Sequence, residues 1–198
     1  MTIMAITVDE LRALVPPRGP HQARVSPGRR SDVGVLNWVI AAIAGRVAGT
    51  GPINIFTTLG RHRWLFRRWL IFAGALMPGG KLPREDSELI ILRVAANTGS
   101  AYEWHQHVLL GLRCGLTPDQ VAAVVEGPLA GGWTPRQEAL LRCADELHAA
   151  HQLSDETWDD LRAHLSERDA IELLMLVGAY EGLAMTLNGL GVQVERVA

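Results

Sequence analysis

Three residues carry most of the chemistry that this sequence offers: Glu88, Glu103 and His107. Glu103 and His107 are four positions apart, so on a helix they share a face. A carboxylate beside an imidazole orients the ring and tunes it for proton transfer near neutral pH. Glu88 falls on the preceding helical segment, and a hairpin closing near Gly99 can bring it alongside that face. The same spacing also fits a helix-surface pair that contributes a few tenths of a kcal/mol, about 0.2–0.5, to helix stability and does nothing else.

Other polar residues read less sharply. His105 is two positions from His107, so the two rings point to different sides and do not form a metal pair. His148 and His151 are spaced for one face, with Glu146 nearby, but zinc or iron needs at least a third placed ligand. Tyr180 and Glu181 interrupt an apolar run near the end of the chain. There Tyr180 can cap a cavity or pack with its hydroxyl satisfied. Cys114 and Cys143 form neither a disulfide framework nor a zinc ribbon. The paired glycines at 79–80 and 131–132 do not open a phosphate-loop pattern. No metal and no cofactor is expected.

The elements that must position these residues are helices. Pro83 suits the first turn of a helix to about Asn97, with Glu85, Asp86 and Glu88 near its positive end. Gly99 breaks it, and a helix from about Ser100 to Cys114 follows, closed by Gly115. Thr117-Pro118 and Thr134-Pro135 are each a cap followed by proline, starting helices to about Glu126 and His151. Ser154 caps a helix over 155–164, and Ser166 caps a largely apolar one to about Asn188. Upstream, a short helix is expected within 8–14. Helices are also expected over 32–48 behind Ser31, from Pro52 to Leu59, and from Arg61 to Leu76. Residues 15–31, rich in proline, glycine and arginine, read as an irregular arm. No alternating strand pattern is present. The reading is all-α, with about eight or nine helices: an N-terminal arm over 1–31 and a single helical domain over 32–198.

Composition sets the outer bounds. The chain has 198 residues, 48% apolar and 20% charged, enough for a core without disulfide or metal staples. Its formal net charge of −2 supplies no field for nucleic acid or an anionic membrane. Residues Val35 to Ala48 form an apolar stretch too short, and too interrupted by Asn37 and Arg46, to span a bilayer. The N-terminus lacks the basic and apolar regions of a signal peptide. A cytoplasmic protein acting on a small molecule, with no nucleic-acid or membrane partner, is expected.

The stretch 82–115 resembles the carboxymuconolactone decarboxylase family, which includes the alkylhydroperoxidase D-like (AhpD-like) proteins. The residues that carry the resemblance are Arg84-Glu85, Glu88, Thr98-Gly99-Ser100, Tyr102-Glu103-Trp104, His107 and Gly115-Leu116-Thr117. Weaker similarity reaches from Asn54-Ile55-Phe56 to Trp133 with Thr134, Ala144-Asp145-Glu146-Leu147, Trp158 and Tyr180, covering about residues 50–190. The resemblance implies an all-α, AhpD-like fold whose subunits associate as homo-trimers or hexamers. Redox members of that family carry a glutamate, a Cys-x-x-Cys pair and a histidine. On this chain those positions are Glu88, Ser100 with Glu103, and His107. Serine and glutamate cannot cycle through thiolate and disulfide. The Glu-Trp-x-x-His form is similar to the decarboxylase-type branch. The resemblance thus implies a lyase-like, cofactor-independent acid–base site. In it His107 exchanges the proton, Glu103 orients it and Glu88 completes the relay, with Ser100, Tyr102 and Tyr180 supporting the substrate. A non-catalytic oligomeric binding protein is the alternative, and peroxide reduction through Cys114 a third.

Overall fold

A computed structural model describes residues 6–20, 22–48 and 50–195. Among the described residues there are eleven α-helices, one 3-10 turn and no strand. The chain is all-α, as expected.

The helices that carry the site begin and end on local signals. α6 (Arg84–Thr98) starts behind Pro83 and stops at Gly99, whose φ of 61° is left-handed and suits a residue without a Cβ. α7 (Ala101–Cys114) follows at once and ends at Gly115. α8 (Pro118–Ala123) and α9 (Pro135–Ala150) each open with a threonine capping box and proline in the first turn. Between them lies the 3-10 turn Gly127–Ala130. α10 (Asp155–His164) is capped by the Ser154 hydroxyl, which accepts from the Thr157 N–H. α11 (Glu167–Leu190) opens with the Ser166 hydroxyl accepting from the Asp169 N–H.

Before these come α1 (Val8–Arg12), α2 (Arg30–Val33), α3 (Val35–Ala48), α4 (Asn54–Leu59) and α5 (Arg63–Leu76). The single helix expected over 32–48 is two. Gly34, at φ 82°, leaves the helical region and separates a one-turn α2 from α3. The expected cap also moves: Asp32 accepts from the Arg29 N–H at 2.8 Å, so Ser31 lies inside the first turn.

Contacts group the chain into two compact units, one of Met1–Arg18 with Lys81–Met185, the other of Gly19–Gly80 with Thr186–Ala198. The expected arm is therefore shared between them. In the first unit α6 is the central helix. Leu89, Ile90, Ile91, Leu92, Val94 and Ala95 have no exposed surface, so it is enclosed rather than amphipathic. Its core extends through Trp104, Val108, Val121, Val124 and Leu141 to Leu11 of α1. Trp104 Nε1 donates to the Leu11 carbonyl at 2.8 Å, tying α1 to α7. Two further ion pairs clamp α6 to α9: Arg93 meets Asp145 at 2.6 Å, and Arg136 meets Asp86 at 2.7 Å. In the second unit, Phe56, Phe66 and Trp69 form an aromatic cluster with centroids 5.3–6.1 Å apart.

α11 is 24 residues long and, by length and composition alone, apolar enough to cross a membrane; the apolar stretch weighed from sequence was α3 instead. Leu173, Leu176, Val177 and Ala184 of α11 are buried. Near its start Glu172 accepts from the Lys81 and Leu82 N–H groups at 2.7 and 3.0 Å.

Candidate active site

The α6–α7 hairpin brings Glu88 and His107 together. Glu88 Oε2 lies 2.7 Å from His107 Nδ1, with Glu88 wholly buried and the His107 side chain 12% exposed. The close approach depends on Gly111, one turn beyond His107. A Cβ there would stand 3.0 Å from Leu116 and 3.2 Å from Leu92 of α6, with Glu88 Cβ next at 3.8 Å. The second oxygen of Glu88 accepts from Arg84 Nη2 at 3.2 Å, an i,i+4 pair on the same helix. The guanidinium supplies the counter-charge that a buried carboxylate requires. An ionised carboxylate can only accept, so in this bond His107 Nδ1 is the donor and Nε2 is the nitrogen left for a substrate. From α11 the Tyr180 ring stands edge-on to the imidazole, with centroids 5.3 Å apart and planes at 83°. Burial first, then Glu88 and Glu103, push the Tyr180 hydroxyl well above its ordinary pKa, so it is a neutral phenol.

The expected role of Glu103 does not hold. It is Glu88, not Glu103, that meets the His107 ring. Helix spacing allowed Glu103 to reach His107, but its side chain turns into the protein and is 2% exposed, with no hydrogen-bond partner on either oxygen. Burial pushes its pKa up to about 8, and Glu181 adds to the rise; nearby Ser100 opposes it without reaching hydrogen-bond geometry. Glu103 is thus a neutral carboxylic acid at pH 7. Ser100, at the start of α7, is also fully buried, and its hydroxyl has no partner. Tyr102 is buried as well, but one position from Glu103 it is turned by roughly 100° around the helix, away from that face.

Two pairings of this neighbourhood were not expected from sequence, Arg84 with Glu88 and His148 with Glu181. Arg84 had a legible signal, its i,i+4 spacing to Glu88. The other is a second histidine–carboxylate pair, His148 Nδ1 to Glu181 Oε1 at 2.8 Å, between α9 and α11. His148 also lines an open cavity of about 360 Å³, with Leu14, Arg18, Arg93 and Asn97. Among the described residues no three His, Cys, Asp or Glu side chains gather as a metal-binding group. Cys143 is buried in α9 and its thiol is pushed up to about 12, while Cys114 is partly exposed at the far end of α7.

Residues 65–146 match the model of the carboxymuconolactone decarboxylase family. That segment contains Arg84, Glu88, Ser100, Glu103 and His107. Over these residues the chain is similar to the carboxymuconolactone decarboxylase family. No curated protein matches it by sequence. Solved structures do match it by fold. One is an alkylhydroperoxidase AhpD core, an uncharacterized peroxidase-related protein from Ralstonia eutropha JMP134. It is 23% identical, with a TM-score of 0.74 over 89% of this chain and 94% of that one. A second, an uncharacterized peroxidase-related protein from Silicibacter sp. TM1040, is 13% identical, with a TM-score of 0.78 over 90% and 94%. A third is a cysteine-to-alanine variant of the debrominase Bmp8 in complex with 2,3,4-tribromopyrrole. It is 19% identical, with a TM-score of 0.72 over 88% and 93%. At these identities the likeness establishes the AhpD-like helical fold alone.

Proposed function

We propose that this protein is a member of the carboxymuconolactone decarboxylase family and a cofactor-independent acid–base enzyme acting on a small carboxylated, lactone or cyclic substrate. The observation that supports it is the buried Glu88–His107 bond of 2.7 Å. Glu88 holds the ring in one tautomer and stabilises the imidazolium formed when Nε2 takes a proton. His107 Nε2 then removes a proton from substrate carbon or returns one to the carbanion left by departing carbon dioxide. In either direction the proton resides on Nε2, and the electron pair moves to or from an enolate within the substrate. Arg84 lies 3.2 Å from Glu88 on the same helix, and the Tyr180 ring walls one edge of the imidazole. The tribromopyrrole held by the debrominase variant is a small ring, in keeping with a small cyclic substrate here.

The peroxidase-related names among the structural neighbours favour thiol chemistry as a second reading. Against it, the buried Cys143 is a neutral thiol, and Cys114 lies two helical turns beyond His107.

The test is turnover of a panel of aromatic acids, lactones and quinones by wild type and by His107→Gln. Loss of product with the fold retained is the expected result. Undiminished turnover by His107→Gln rejects the assignment. Ligand binding with no product in either protein supports a binding role instead.

A further inference from the structure

The first turn of α7 holds polar atoms that nothing in the protein satisfies. Ser100 is fully buried and Glu103 is 2% exposed, yet Ser100 Oγ and both Glu103 carboxyl oxygens have no hydrogen-bond partner. An orphaned buried polar group costs roughly 1–3 kcal/mol, so such groups usually face a ligand or a solvent molecule. The three atoms belong to two side chains, three residues apart in one helical turn. Charged and titratable groups of the same region stand on four helices. Arg84 and Glu88 stand on α6, His107 on α7, Tyr180 and Glu181 on α11, and His148 on α9.

We infer that Ser100 and Glu103 form a hydrogen-bond receptor for a carboxylate or enolate oxygen of the substrate, one helical turn from the base His107. The inference rests on the acid–base reading above, because it supplies the donors which that chemistry needs at the developing oxyanion. Three features suit it. Ser100 starts α7 without using its hydroxyl as a cap, so the O–H is available to a ligand. Glu103 is neutral at pH 7 because burial holds its proton, which makes its carboxyl a donor rather than a repelling anion. Ser100 also stands at the N-terminal end of the 14-residue α7, where the macrodipole favours negative charge. Glu103 thus becomes a binding group for the oxyanion instead of the orienting group of His107.

Acetate is the probe, and its binding is followed by line broadening of its carbon-13 carboxylate signal from pH 6 to pH 9.5. Wild type is expected to bind acetate at pH 6. Above about pH 8 binding is expected to weaken, approaching tenfold per pH unit as Glu103 ionises and repels the anion. Glu103→Gln keeps an N–H donor and cannot ionise, so its affinity should change far less over the same range. Ser100→Ala should weaken binding about fivefold or more at every pH without altering the wild-type profile, in line with one lost hydrogen bond. Circular dichroism checks that both variants fold. Absence of acetate binding overturns the inference, as does a pH profile unchanged in Glu103→Gln or affinity unchanged in Ser100→Ala. The two readings separate cleanly. If His107→Gln loses turnover while acetate ignores Ser100 and Glu103, the acid–base reading stands and the receptor falls. If acetate behaves as expected while His107→Gln turns over like wild type, the receptor stands and the acid–base reading falls.

Discussion

The first unit contains two histidine–carboxylate pairs of nearly equal length and unequal meaning. Glu88 meets His107 at 2.7 Å, and Glu181 meets His148 at 2.8 Å. The inner pair is 0% and 12% exposed; the outer is 15% and 37% exposed. Glu88 also has Arg84 beside it, and His107 has the Tyr180 ring against it. His148 faces an open cavity. A bond of given length therefore does not make a catalytic pair. Exclusion of water strengthens the carboxylate's hold on the ring, and the arginine beside it offsets the cost of burying a carboxylate. The outer pair is screened and contributes little.

That contrast predicts unequal responses to the same substitution. Glu88→Gln and His107→Gln should each lower turnover by about 10²–10⁴-fold, the range of positioned acid–base groups. His148→Gln should leave kcat within about threefold. A deep loss on removing His148 would break the comparison and make the outer pair part of the chemistry. Stability should follow the same order. Glu88→Ala leaves a buried imidazole and a guanidinium without their partner and should cost about 3–5 kcal/mol in urea denaturation. Glu181→Ala should cost about 0–1 kcal/mol.

Much of this architecture is legible in the sequence because its signals are local. The threonine–proline starts of α8 and α9, the serine caps of α10 and α11, and the glycines ending α6 and α7 all act within a few residues. The division of labour between Glu88 and Glu103 is not local. Spacing alone favours Glu103 as the partner of His107, since the two share a helix face. Tertiary packing reverses that choice: Gly111 lets α6 approach α7 until Glu88 reaches the ring, and Glu103 is left unpartnered. The outer pair joins α9 to α11, residues 33 positions apart, and no short pattern announces it.

Glu103 sharpens the comparison through pH. Its folded pKa of about 8 lies above its ordinary 4.5 because burial favours the neutral form. The unfolded chain ionises first as pH rises. Stability from this group is therefore complete below about pH 4.5, declines between there and about pH 8, and is flat above. The total loss is on the order of 5 kcal/mol, and Glu103→Gln should remove that slope. Urea midpoints of both proteins at pH 5, 6.5 and 8 measure it. A wild-type slope that survives the substitution would assign the dependence to another group. The smallest effect concerns the thiols. Cys114→Ser should leave turnover unchanged, and Cys143 should resist alkylation in the folded protein because its thiol stays protonated to about pH 12.

The central claim is that Glu88 fixes His107 with Nε2 free to act on substrate. Long-range proton–nitrogen NMR correlation on the His107 ring tests it without knowledge of the substrate. The neutral ring should be the Nδ1-protonated tautomer in wild type and should lose that preference in Glu88→Ala. An Nε2-protonated ring in wild type, or a tautomer indifferent to Glu88, would contradict it.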